Sequence, residues 1–317
     1  MVTGKQHIII PAGCRGTTAK RGCGVFRCMP AILLIMTVLG CVSETGTKQQ
    51  PSATAGKLRM GVDASLAGAA LGQASVFSAH YPDASVDIVP EVSGKTLLSL
   101  LKHENGAAMI NGPLTAEEDS LLQHAEFRGR KEPVARDAVI CIVNSKSPLD
   151  SMMPARLAAM LSGKARTQPD AVPWTSRNDY RLLATLRSLL GTPKMALHAM
   201  QCASDSLLAL RVASDPSAAG LLYLSSYNSL SLPDAVRGQL RIVPVSSGRP
   251  GSRAVPPSEY HLFEGSYPLR TTVYYLYLPA NPLAAGFGSW LSKEGQKAFE
   301  RNYLAPVRQL PRTIILK

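Results

Sequence analysis

The chain has 317 residues, of which 45% are hydrophobic and 18% charged, with a formal net charge of +12. That apolar content excludes a disordered protein and suffices for a sizeable core divided between two lobes. The six cysteines and six histidines show no CxxC or Cys/His spacing, and no GxSxG, HExxH or Walker pattern occurs, so the sequence is read as holding no metal, cofactor or catalytic apparatus.

In chain order, the first feature is a short apolar run, residues 29–40 (MPAILLIMTVLG), behind Lys5, Arg15, Lys20, Arg21 and Arg27. A positive segment followed by an apolar stretch too short to span a bilayer is an export signal. Val38-Leu39-Gly40-Cys41 resembles a lipoprotein cleavage box, which makes residues 1–40 a signal peptide and Cys41 the lipidated residue; an ordinary signal peptide with a chance cysteine is the alternative. Cleavage there removes five cations and leaves 277 residues with a net charge of +7. Such an excess favours anionic ligands or membrane surfaces in general without defining a site. Cys14, Cys23 and Cys28 leave with the signal, and Cys141 and Cys202 remain, either as separate thiols or as a disulfide formed after export.

Residues 41–56 are polar and lack an apolar period, as expected of a flexible tether. From Lys57 onward short apolar runs alternate with helical periods, the pattern of α/β construction. Residues 58–62 predict a strand and Leu66, Ala70, Leu71, Ala74 and Phe77 a helix, placing Ser65 near its start. The same order recurs: a strand over 86–90, then Ser93-Gly94, then a helix carrying Leu97, Leu98 and Leu101. A buried strand, 107–110, ends at Asn111-Gly112-Pro113, and Thr115 with Glu118 fits a capping box for the following helix. Later, Leu182, Leu183, Leu186, Leu189 and Leu190 stripe a helix that begins after Ser176-Arg177-Asn178-Asp179; residues 271–278 (TTVYYLYL) predict a strand, and Phe287, Trp290, Leu291 and Ala298 a helix.

Several of these segments, taken in order, resemble the phosphate-binding component of bacterial phosphate importers, a type II periplasmic solute-binding family. They are 77–82 (FSAHYP), 137–149, 157–164 (LAAMLSGK), 212–223 (VASDPSAAGLLY), 267–278 and 290–296 (WLSKEGQ). The resemblance implies a two-lobed α/β fold with a central ligand cleft and hinge crossings: lobe I from 57–136 and 265–317, lobe II from 137–264. It also implies a lipid-anchored, exported, monomeric and non-enzymatic protein that passes phosphate or another small oxyanion to an ABC permease and has no nucleic-acid partner. Matching by order assigns ligand binding to Ala64, Ser65 and Leu66, to Ser93 and Gly94, to Asn111, and to Arg177 and Asp179. Unpaired N–H groups and the positive dipole end at helix starts suit such an anion.

The match departs at three places: Leu222 stands for the usual second glycine before Tyr223, Asn111 stands for the acidic residue common in some members, and the segment after Arg177 differs most. Where the family continues Arg-x-Asp with Gly-Ser-Gly-Thr, this chain has Tyr180-Arg181-Leu182-Leu183, losing two glycines and two hydroxyl donors. Three ligand readings stay open: phosphate, another oxyanion, or a cleft that has lost transport-type binding, as in a surface interaction or sensory lipoprotein. Arg177 clamps an oxyanion or merely pairs with Asp179, and Ser65 and Ser93 donate to ligand or merely cap helices.

Overall fold

A computed structural model describes residues 51–163, 171–177, 179–301 and 304–308. The signal peptide, Cys41, the tether up to residue 50, Lys164 and Asn178 lie outside them.

The chain opens with β1 (Gly56–Asp63), whose alternating Leu58, Met60 and Val62 are buried. A single turn of 3-10 helix (Ala64–Leu66) leads into α1 (Ala67–His80), then β2 (Ala84–Glu91), α2 (Lys95–Leu101) and β3 (Ala107–Asn111). β1 pairs in parallel with β2 on one side and β3 on the other, so every residue of the central β3 is buried. Next come α3 (Ala116–His124) and β4 (Arg130–Asn144). The capping box at α3 forms: Thr115 Oγ1 accepts from Glu118 N at 3.2 Å while Glu118 Oε2 accepts from Thr115 N at 2.9 Å.

β4 is long enough to serve two sheets. Arg130 to Ala138 pair antiparallel with β9 (Arg270–Tyr277), which also pairs with β3; Val139 to Val143 pair antiparallel with β7 (Ala218–Tyr223). On the second side lie α4 (Pro154–Leu161), β5 (Val172–Ser176), α5 (Tyr180–Leu189), β6 (Met200–Cys202), α6 (Asp205–Ser214), α7 (Leu224–Ser229), α8 (Asp234–Arg237), β8 (Leu240–Ile242) and α9 (Glu259–Glu264). β5 runs parallel between β6 and β7. The chain returns through β9 to α10 (Pro282–Ser292), α11 (Gln296–Arg301) and the short β10 (Ala305–Pro306).

Two main buried apolar clusters follow this division. One joins Leu58, Met60, Phe77, Tyr275, Phe287 and Trp290; the other joins Ile140, Ile142, Leu186, Leu208, Leu221 and Tyr267. Burial of that area is the main stabilising term for each.

Several expectations need correction. Leu71 and Leu98 point outward, 54% and 40% exposed, and Leu100 takes the inner position on α2, because the buried stripe runs through Thr96, Leu97 and Leu100. The predicted C-terminal helix is two helices. Gly295 separates them: a Cβ there would lie 2.8 Å from Gln73 Oε1 and 2.9 Å from the Trp290 carbonyl oxygen, and Gln73 Nε2 donates to the Gly295 oxygen at 2.7 Å. The end of the expected tether is folded: Ser52 N bonds the Ala55 oxygen at 2.9 Å, and a Cβ on Gly286 of α10 would collide with the Ala53 backbone. Cys141 and Cys202 are both free.

Candidate functional site

Strands of parallel sheets end where their following helices begin, and those ends gather at the crevice between the two sheets. Asp63 closes β1, Ser93 and Gly94 follow β2, Asn111 closes β3, and Asp179 precedes α5. Gly94 has φ +92°, a conformation that suits a residue without a Cβ. Gly112 shares that conformation and has a second constraint, since a Cβ there would collide with Thr185 Oγ1 of α5 across the crevice.

Arg181, in the first turn of α5, is wholly buried and reaches across to the first sheet. Its Nε lies 2.9 Å from Asp63 Oδ2, while its two terminal nitrogens bond Glu118 at 2.7 and 2.5 Å as a bidentate fork. Asp63 also accepts from Thr96 Oγ1 at 2.8 Å and from Asn111 N at 3.0 Å. Beside this, Ser93 Oγ donates to Asp179 Oδ1 at 2.9 Å, and the same carboxylate caps α5 by accepting from Leu182 N at 3.0 Å.

Deeper in the crevice, Asn111 Nδ2 donates to Asp137 Oδ2 at 2.6 Å. Asp137 further accepts from Ser225 Oγ at 2.5 Å, Ser225 N at 3.2 Å and Ala138 N at 2.8 Å. The Tyr223 hydroxyl donates to the Asn111 carbonyl at 3.3 Å and meets Thr185 Oγ1 at 3.1 Å.

The electrostatics run against an anion. Burial raises the carboxyls of Asp63, Asp137 and Asp205 above their ordinary range. Asp179 is pushed up to about 7, first by burial and then by the neighbouring Asp63, with the Ser93 hydrogen bond opposing. The guanidinium of Arg181 is set against Asp63 and Glu118, with Asp179 close to Asp63. Of the donors that could hold a free oxyanion, Ser93 Oγ, Thr96 Oγ1, the Asn111 amides and Ser225 are committed to protein carboxylates, while the buried Ser65 Oγ is not.

Of the residues assigned from the sequence, Ser93 and Asp179 come into direct contact, and Asn111 bonds instead to Asp63 and Asp137. Their partners differ from those expected: the Asn111 amide nitrogen and the Ser93 hydroxyl serve carboxylates of the chain itself. Ser65 and Leu66 are buried in the 3-10 turn, Ser65 Oγ without a hydrogen-bond partner, and Ala64 is exposed. Arg177 is exposed, its backbone N bonding the Cys202 oxygen at 2.8 Å; the guanidinium inside the crevice is that of Arg181. Sequence reasoning missed Asp63, Glu118 and Arg181 as one group. The available signal was Arg181 itself, a cation where the family pattern has serine, at the head of an otherwise apolar helix stripe. Ser225 and Ser226 lie in α7 and bond Asp137 and Asp205.

A family model described as a PBP superfamily domain matches residues 47–294. Among solved structures, one assigned as a phosphate ABC transporter substrate-binding protein from Clostridium perfringens, with bound phosphate, is similar at TM-score 0.64 and 15% identity, covering 80% of this chain and 100% of that one. An ABC-type phosphate transport receptor from Vibrio cholerae is similar at 0.60 and 16%, covering 78% and 99%. An OxyR2 regulatory domain from Vibrio vulnificus is similar at 0.50 and 10%, covering 75% and 95%. No curated protein sequence matches the chain.

Proposed function

We propose, on the premise that the chain belongs to the PBP superfamily, that it is an exported two-lobed binding protein whose cleft is latched by its own side chains, and that it works as a surface interaction or sensory protein instead of carrying free phosphate. The observation that carries this reading is Arg181, wholly buried between Asp63 and Glu118. It neutralises Asp63 and Glu118 from within the protein, so its guanidinium is already engaged by carboxylates of the chain, and it joins α5 beyond the second sheet to the first. Two direct interlobe contacts, Ser93 with Asp179 and Tyr223 with the Asn111 carbonyl, act in the same sense.

The division into lobe I (57–136 and 265–317) and lobe II (137–264), the absence of catalysis, export, attachment through Cys41 and a monomeric state belong to the same proposal. Fold likeness to phosphate-transport proteins favours a second reading, in which the cleft opens and captures phosphate or a related oxyanion for an ABC permease. In that case the anion must displace Arg181 from its carboxylates or bind beside four acidic groups.

Equilibrium dialysis of the full chain against labelled phosphate separates the readings. Any phosphate retained should be unchanged by Ser93→Ala and Asn111→Ala. Retention that these substitutions abolish would sink the latched-cleft reading and restore the carrier.

A further inference from the structure

Away from the crevice, a cavity of about 540 Å³ lies on the first lobe between β4, the end of β9, α10 and the chain around Val307 and Arg308. Three arginines line it, Arg130, Arg136 and Arg308, against one carboxylate, Glu132. That carboxylate is already engaged: it accepts from the Tyr277 hydroxyl at 3.0 Å and lies 4.0 Å from Arg130. Arg136 is half-buried on β4. Its guanidinium donates to Thr272 Oγ1 at 2.5 Å, and no carboxylate pairs with it among the described residues. Burial, and then the neighbouring Arg270, lower its proton affinity, as expected of a cation held without a counter-charge. α10 adds the Ser289 and Ser292 side chains to the wall.

We infer that this cavity is a binding site for a phosphate-bearing anion, held by Arg136 at its floor and by Arg130 and Arg308 at its rim. Guanidinium forks match phosphate oxygens, and the half-buried Arg136 is the cation with most to gain from a partner. Two sources present that chemistry, a free phosphate compound and the headgroup of an anionic phospholipid. The chain path bears on the second. Residues around Ala53 pack on Gly286 of α10, next to Ala285 of the cavity wall, and Cys41 lies ten residues before Pro51. In the reading proposed above, a lipid on Cys41 would be joined to Pro51 by ten residues, a chain of at most about 35 Å.

The test uses the unacylated full chain carrying Cys41→Ala, with two probes: inorganic phosphate in equilibrium dialysis, and flotation with phosphatidylcholine vesicles with or without phosphatidylglycerol. Two variants are compared, Arg136→Gln and, because Arg136 is half-buried, the more conservative pair Arg130→Gln with Arg308→Gln. Saturable phosphate retention reduced at least tenfold by both variants assigns a soluble ligand. Retention only on phosphatidylglycerol vesicles, reduced likewise, assigns the headgroup. Binding of neither probe, or binding of either that survives both variants while each still melts cooperatively, overturns the site. Ser93→Ala serves as the control that separates this cavity from the interlobe crevice.

Discussion

Substituting methionine for Arg181 removes the guanidinium while keeping most of the side-chain volume, so the consequence is electrostatic and leaves little cavity. Asp63 and Glu118, 1% and 3% exposed, then sit buried without their cation. Breaking a buried pair by removing one partner costs roughly 3 to 5 kcal/mol. For a chain of this size each kcal/mol lowers Tm by about 2 to 4 °C, so a fall of about 10 °C is expected in a thermal melt at pH 7. Adding Asp63→Asn and Glu118→Gln to Arg181→Met removes the stranded charges, and the triple variant should recover most of the loss, since apolar or neutral replacements of buried ion groups are often close to neutral. A Tm for Arg181→Met within about 2 °C of the parent, or a triple variant that melts lower than the single one, would refute the reasoning.

Other outcomes follow from the same geometry. Asp179 binds its proton more tightly in the folded state, with a folded value of about 7 against an ordinary 3.8, so stability is fully present below about pH 4 and declines as pH rises through 7. Melts should therefore drop from pH 5 to pH 8, and Asp179→Asn should flatten that slope without abolishing it, because Asp63, Asp137 and Asp205 are shifted in the same direction. Gly112→Ala places a Cβ against Thr185 Oγ1 at φ +92° and should destabilise by about 1 to 3 kcal/mol in denaturant unfolding; Gly112→Ala with Thr185→Ala, which removes that hydroxyl, should not fully recover, since the strained backbone stays. Cys141 is buried, with its thiol pushed up to about 12, so thiol reagent should label Cys202 in the native protein and Cys141 only after unfolding.

The α/β order, the strand and helix positions and the Thr115–Glu118 capping box were legible because each rests on local periodicity or on spacing within one turn. Leu71, Leu98 and the break at Gly295 were not, because a stripe of leucines does not state which neighbour will cover it; Trp290 and Gln73, far apart in sequence, decide the last. At the site the sequence brought the right turns together, Ser93 with Asp179 and Asn111 beside them, but assigned their donors to an outside anion. The reassignment comes from Arg181, and its partners lie 118 and 63 positions away, at Asp63 and Glu118. Nothing in local patterning pairs a helix-start arginine with a carboxylate at the end of β1.

The central claim is that the two lobes are held together by the protein's own ion pairs in the absence of solute. Small-angle X-ray scattering of the anion-free protein tests it most directly: the profile should match the arrangement in which Arg181 meets Asp63 and Glu118, and stay unchanged on addition of phosphate or sulfate. An anion-free profile with a larger radius of gyration, contracting when phosphate is added, would contradict the account.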